Sequence, residues 1–359
     1  MYNYIMKAKY IEISDTLELE LRQLRSAGIL KLPTESEFCK RFSVSRQTVR
    51  AALDLLVNKG LIIKRHGSGY YIAEGKQNIN RDILFICEDA DKYIYPDLTL
   101  QLKKQLEIKK YSLTAMSTNG SLHRERDILA GAAASVPAAV MIEPIRNIVP
   151  NPNEALIGEL ITMGVPVISL FTRYPSVSGC ICITEDDTEG ASSLVRFLAG
   201  KGYKNFAGIF RTDDSRGLAR YEGCIKTCAE LSIPVREENY CLFTMADQRK
   251  MLQGDTSLLT EFAEKLQKDT GVICQNDMIA YELIKVLKAS GSNIPDDIAI
   301  TSFDNSYYST LGDISITSLG HGDRQLSDIL AKTVISAIDH KKVILEPVPW
   351  SLHIRKSTR

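Results

Sequence analysis

No apolar run in the sequence approaches the ~18 residues needed to cross a bilayer. The opening MYNYIMKAKY lacks the unbroken apolar segment of a secretion signal, so a cytoplasmic protein without a membrane partner is expected. Eight cysteines in 359 residues are too few for a disulfide scaffold, and none stand as CxxC, so neither a metal nor a redox site is expected. Cys180 and Cys182 fall on one face of a strand, Cys224 and Cys228 on one face of a helix, and both pairs read as buried reduced thiols. There is no GxxxxGK[ST], no GxGxxG opening a helix after a strand, no GxSxG and no HExxH, which argues against an enzyme and against a bound cofactor.

What is present is an ordinary globular composition, 44% apolar and 25% charged, long enough for two or three domains. The zero net charge conceals a division. Residues 1–76 hold 13 Lys+Arg against 8 Asp+Glu, leaving 31 against 36 for the rest, so a head of +5 precedes a body of −5. Between residues 40 and 66 seven basic residues meet only Asp54, which points to a polyanion.

Leu17, Leu21 and Leu24 recur at helical spacing and predict a first helix over Tyr10 to Arg25. Thr34 and Glu37 form a T-x-x-E capping box that starts a short second helix. From the N-cap candidate Ser45 to Asn58, Val49, Ala52, Leu53 and Leu56 share one face while Arg46, Gln47 and Arg50 share the other. Leu61 to Ile72 then reads as two strands about the turn HGSG, with Lys64, Arg65 and His66 at the tip. Three helices and a basic hairpin make a winged helix-turn-helix, whose third helix suits a major groove; the plainer alternative is a small bundle whose cations are merely solvated.

The segment LPTESEFCKRFSVSRQTVRAALDLLVNKGLIIKRHGSGYYI resembles the DNA-binding domain of the GntR family of bacterial regulators over about 65 residues. The resemblance implies that Ser45, Arg46, Gln47, Thr48 and Arg50 meet double-stranded DNA from the recognition helix, and His66 and Gly67 from the wing. Several family members carry a further DNA-contacting arginine where this chain has Ser36.

Residues 1–75 are thus read as the DNA-binding domain, 76–80 as a polar linker and 81–359 as a second domain. In that body short apolar runs alternate with amphipathic helices about ten times, more than one compact sheet holds, so two α/β lobes with parallel sheets are expected. Ligands of such sheets bind beyond the carboxyl ends of the strands, where this sequence places Glu143, Phe171 to Tyr174, Asp213 and Asp214, Asn276 and Asp277, and Asp304. Carboxylates beside aromatic rings suit a sugar, although any one acid there could instead cap a helix.

The stretches MIEP, TEDDTEGA, DDSRGLARYEG, ICQNDMIA, IPDDIAITSFDN and TSLGH are similar to the sugar-binding domain of LacI-type repressors, itself periplasmic-binding-protein-like. With the GntR head, the arrangement resembles repressors of arabinose use in Gram-positive bacteria. The resemblance implies an effector cleft lined by Arg220, Asp277 and His321, with Glu143 and Asp304 nearby. Phe171 stands where relatives carry a polar sugar contact, so the effector is left open. The expected whole is a homodimeric repressor that reads a near-palindromic operator and is released by a small sugar such as arabinose. The competing reading is a body that only dimerises the heads.

Overall fold

The computed structural model describes residues 9–26, 29–58, 61–65, 68–73, 80–145, 148–321, 326–345 and 347–359. The chain divides into two compact units that part between Asn80 and Arg81.

The head contains α1 (Lys9–Ser26), α2 (Glu35–Phe42), α3 (Arg46–Asn58) and the antiparallel strands β1 (Ile62–Arg65) and β2 (Gly69–Ile72). The capping box forms as its residues dictate: the Thr34 hydroxyl accepts from the Glu37 amide, and the Glu37 carboxylate accepts from the Thr34 amide at 2.7 Å. Leu17 and Leu21 of α1 pack with Phe38, Val49, Leu53 and Leu56 in a single core that Ile62, Tyr70 and Ile72 of the hairpin close. The winged helix-turn-helix is therefore present, and its wing residues His66 and Gly67 lie outside the described residues, as do 76–79 of the linker.

The body opens with β3 (Asp82–Cys87), α4 (Tyr95–Ile108), β4 (Ser112–Ser117), α5 (Leu122–Ser135), β5 (Ala139–Ile142), α6 (Glu154–Thr162), β6 (Val167–Leu170) and β7 (Ile181–Ile183). Its strands form a parallel sheet in the order β4-β3-β5-β6-β7. The chain then enters a second lobe with α7 (Asp187–Gly200), β8 (Asn205–Arg211), α8 (Ser215–Glu230), β9 (Tyr240–Phe243), α9 (Met245–Leu252), α10 (Ser257–Glu264) and β10 (Thr270–Cys274). It continues through α11 (Asp277–Ala289), β11 (Ile298–Phe303), α12 (Tyr308–Leu311) and β12 (Thr317–Gly320). Next α13 (Leu326–Ile338) returns to the first lobe, where Leu330 and Val334 join the core of Phe85 and Leu102. Finally β13 (Ser351–His353) returns to the second, completing the order β13-β12-β11-β10-β8-β9. The chain thus passes between the lobes three times.

Each sheet reverses its strand order once, between β3 and β5 in the first lobe and between β8 and β10 in the second, which marks the crevice where such sheets take ligands. Polar bridges show that the two crevices face each other: Tyr93 donates to Asp304 at 2.5 Å, Thr172 and Ser215 hydroxyls lie 2.7 Å apart, and Arg211 stands 3.7 Å from Glu88. All eight cysteines are free, and Cys224 and Cys228 are buried side by side on α8. Among the described residues no helix is long and apolar enough to cross a membrane.

The second lobe depends on close approach of α7 and α8. A Cβ at Gly223 would stand 2.2 Å from the Thr188 carbonyl oxygen, a backbone atom that cannot swing aside. Gly223→Ala is expected to cost about 1–3 kcal/mol through forced separation of the two helices, read as a lowered melting temperature of the body with the head's own transition unmoved.

Candidate functional site

The cleft is built from side chains at the carboxyl ends of the strands, and its centre is ionic. Arg216, in the first turn of α8, places its guanidinium 4.4 Å over the Phe171 ring, 3.3 Å from Glu143 and 3.9 Å from Glu185. One turn on, Arg220 is 1% exposed. It donates to Asp187 at 2.7 Å and to the Gln275 carbonyl, stands 3.7 Å from Asp304, and lies over the rings of Phe303 (4.0 Å) and Trp350 (5.5 Å). His321, just past β12, donates toward Glu185 at 3.0 Å and stacks on Trp350 with ring centroids 4.9 Å apart.

Burial alone would lift the Glu185 carboxyl and lower the His321 imidazole, yet their mutual pairing wins, holding the acid below its usual range and the base above it. Glu143 goes the other way: burial raises it in spite of Arg216 and the Tyr95 hydroxyl.

Around this centre four buried polar atoms have no hydrogen-bond partner among the described residues: Glu185 Oε2, Arg220 Nη2, His321 Nδ1 and Trp350 Nε1. Since an unmade bond to a buried polar group costs about 1–3 kcal/mol, four in one connected cluster mark a place prepared for something that brings donors and acceptors. The backbone is strained there as well. Tyr93, Phe171, Asp304 and Asn305 all hold positive φ, at 58°, 66°, 89° and 45°, conformations that bulky residues keep only where surroundings enforce them.

Of the residues singled out from sequence, Glu143, Phe171, Arg220, Asp304 and His321 come together here, while Asp277 plays a supporting part. Asp277 is wholly buried behind the cleft wall, accepting from the Ser302 hydroxyl and, at 2.5 and 2.9 Å, from the Ser306 amide and hydroxyl. The cap of α11 is Asn276, not Asp277. Asp213 and Asp214 turn out to hold helix starts: Asp213 accepts from the Met245 amide and Asp214 from the Arg216 amide. Tyr93, Glu185, Arg216 and Trp350 went unnamed in the sequence reading; Glu185 and Arg216 lay inside motifs that drew notice, but their partners stand up to 136 residues away.

Burial pushes the Asp277 carboxyl up to about 7, with its serine partners only partly offsetting. In the unfolded chain it would titrate near ~3.9. Because the folded-state value is raised, the stabilising contribution is complete below ~4 and is lost as pH climbs through about 7. Melting temperature should therefore fall between about pH 4 and 7, and Asp277→Asn should flatten that fall; an unchanged slope in the variant would remove Asp277 as its source.

In the head, Ser45 caps α3, accepting from the Thr48 amide at 3.2 Å, with the two hydroxyls 2.9 Å apart. Gln47 is exposed. Arg50 Nε donates to both oxygens of Glu35 at 3.0 Å, and Arg46 donates to the Ser36 hydroxyl at 2.9 Å with Glu35 4.0 Å away. The cationic face of α3 is thus met by a carboxylate from α2, a pairing invisible in a helix-by-helix reading.

A winged helix-turn-helix joined to a two-lobed body with a polar, strained cleft defines a ligand-responsive transcription regulator. Residues 9–72 match the bacterial regulatory proteins of the gntR family, and residues 195–358 match the periplasmic binding protein-like domain. The chain is 30% identical to the arabinose metabolism transcriptional repressor of Geobacillus stearothermophilus, over 87% of this chain and 86% of that protein. It is 26% identical to the repressor of the same name from Halalkalibacterium halodurans, over 87% and 84%. The body shares its fold, at 19% identity and a TM-score of 0.66, with a periplasmic binding protein/LacI transcriptional regulator from Alkaliphilus metalliredigens complexed with D-xylulofuranose, covering 78% of this chain and 99% of that one. The chain belongs to the family of the arabinose metabolism transcriptional repressors, non-enzymatic DNA-binding regulators, with a GntR head and a periplasmic binding protein-like body.

Proposed function

We propose that this repressor acts in the cytoplasm as a homodimer on a near-palindromic operator of carbohydrate-use genes, and that a free sugar, arabinose or a close relative, releases it. The DNA contacts are assigned to Ser45, Arg46, Gln47, Thr48 and Arg50 of α3 and to His66 and Gly67 of the wing. Two heads are required because one winged helix buries too little for tight specific binding. The effector lies between the lobes against Phe171, Arg216, Arg220, Asp304 and His321, with Glu143 at the first lobe's edge and Asp277 steadying the wall.

The observation that carries the reading is the cluster of four unpartnered polar atoms, the donors Arg220 Nη2 and Trp350 Nε1, the acceptor Glu185 Oε2, and His321 Nδ1, whose sense follows the protonation of its ring, set among aromatic rings. Sugar hydroxyls both donate and accept, and sugar rings present flat C–H faces to aromatics. A phosphorylated sugar fits worse. The helix starts at the cleft are capped by Asp186, Asp214 and Asn276, and the guanidiniums of Arg211, Arg216 and Arg220 already face carboxylates, which leaves no cradle for a second anion.

Titration of the full chain with L-arabinose and related pentoses, with and without operator DNA, tests this. A coupling of about 1–3 kcal/mol would change DNA affinity about 5- to 150-fold, and linkage demands the same factor for DNA acting on sugar. If no sugar binds or shifts DNA affinity, the body is a dimerisation scaffold.

A further inference from the structure

We infer that the end of the first lobe opposite the cleft is a second DNA contact, a basic surface that meets the phosphates flanking the operator; the inference rests on the DNA-binding reading above.

The parallel strands of the first lobe point their carboxyl ends at the cleft, so β3 at Asp82 and β4 at Ser112 begin at the far end. Two neighbouring helices run down to that end. α4 starts beside Glu143 through Tyr95 and stops at Ile108, while α13 starts five residues past His321 and stops at Ile338. Lys109 and Lys110 follow the first, His340, Lys341 and Lys342 follow the second, and all five are exposed, as is Arg81.

Contacts join these residues into one surface. Arg81 donates to the Lys110 carbonyl at 3.2 Å and lies 5.7 Å from the Tyr111 ring centre. Lys341 pairs with Asp339 at 2.8 Å, and with Lys109 and His340 behind it holds that carboxyl below its usual range. The acids of this end are Glu107, Asp339 and Asp82, and Asp82 already accepts from the Ser112 and Thr114 hydroxyls at 3.1 and 2.9 Å. Against those three stand five lysines and arginines, whereas the rest of the body carries 26 against 33. A domain that is otherwise acidic, and so repels a polyanion, thus turns basic at one end.

The place of that end in the chain names the polyanion. Arg81 is the first residue of the body, and Ala73, just past β2, lies only eight residues before it. Fully extended, eight residues span at most about 29 Å, or about eight base pairs at ~3.4 Å each. Once a head grips its half-site, covalent reach alone keeps Arg81 over the adjoining duplex. An acidic protein would gain nothing from that tether.

Fluorescence anisotropy of the full chain on two duplexes tests the surface, one ending at the half-sites the heads read and one carrying about 10 further base pairs of arbitrary sequence at each end. The longer duplex is expected to bind about fivefold tighter or more, with a log–log salt slope steeper by about 1–3, roughly one for each added phosphate contact. Changing Lys109→Gln, Lys110→Gln, Lys341→Gln and Lys342→Gln together should erase both differences and leave the shorter duplex bound as before. The same four positions changed to Arg should retain them. If the lysines only complement the carbonyl ends of α4 and α13, the Gln variant melts lower yet keeps its preference for the longer duplex, and the surface is overturned. Indifference of the parent protein to the flanks overturns it too, as would follow if this end served an acidic protein, and leaves the repressor standing. Failure to bind either duplex overturns both.

Discussion

Arg220→Ala is expected to lower the stability of the body by about 3–5 kcal/mol and to abolish its response to sugar. The first effect follows from burial. Arg220 is 1% exposed and its chief partner Asp187 is 5% exposed, so truncating the arginine strands a carboxylate among Phe303, Trp350 and the α7 and α8 backbones. Asp187 is already raised by burial against the pull of Arg220, and without that pull it must take up a proton or draw in water. Sequence alone suggests a mutant that merely fails to sense sugar; the structure makes it one that also melts early. The two effects can be separated. Replacing the whole pair, Arg220→Met with Asp187→Leu, removes the stranded charge and should recover most of the melting temperature while sugar binding stays lost. If Arg220→Ala melts within a degree of the parent protein, the pair does not carry the lobe.

The second large effect is on DNA. Affinity for operator should fall about 10³- to 10⁵-fold between 50 and 200 mM salt if the paired heads neutralise 6–10 phosphates, since each releases condensed counterions. The exposed cations Arg46 and Arg50 and the wing's Lys64 and Arg65 are the sources on each head. Glu35 modulates this, because its carboxylate competes with DNA for both arginines of α3. Glu35→Gln should strengthen binding to unrelated sequences and narrow the gap to operator. Arg50→Ala should cost about 1–3 kcal/mol on operator with relaxed choice at one step, if it reads a base edge. Fluorescence anisotropy across a salt series reports all three, and a flat salt dependence would remove the electrostatic account.

Legibility in the sequence followed the range of the interactions. The head could be read almost residue by residue, because a capping box, a heptad-like leucine face and a glycine-permitted turn are local signals; Thr34 with Glu37 is the clearest instance. In the body, helices and central strands announced themselves by alternation. The strand β7 showed only through the Cys180 and Cys182 alternation, and β12 and β13 were missed, being three or four residues each and, in the case of Thr317–Gly320, rich in small polar residues that the sheet buries. The cleft was half legible. Arg220 and His321 carried motif signals, but Glu185 meets His321 across 136 residues and Tyr93 meets Asp304 across 211, and no spacing rule spans such distances.

The late return of the chain through Trp350 and β13 has a consequence in time. Every residue of the winged helix is made by position 73, whereas the aromatic wall behind Arg220 and His321 waits for position 350. At bacterial elongation rates of ~5–20 residues per second, those 277 intervening residues take about 14–55 s. The domain that reads DNA can therefore fold on the ribosome well before the domain that hears the sugar, and every newly made repressor begins deaf to its inducer.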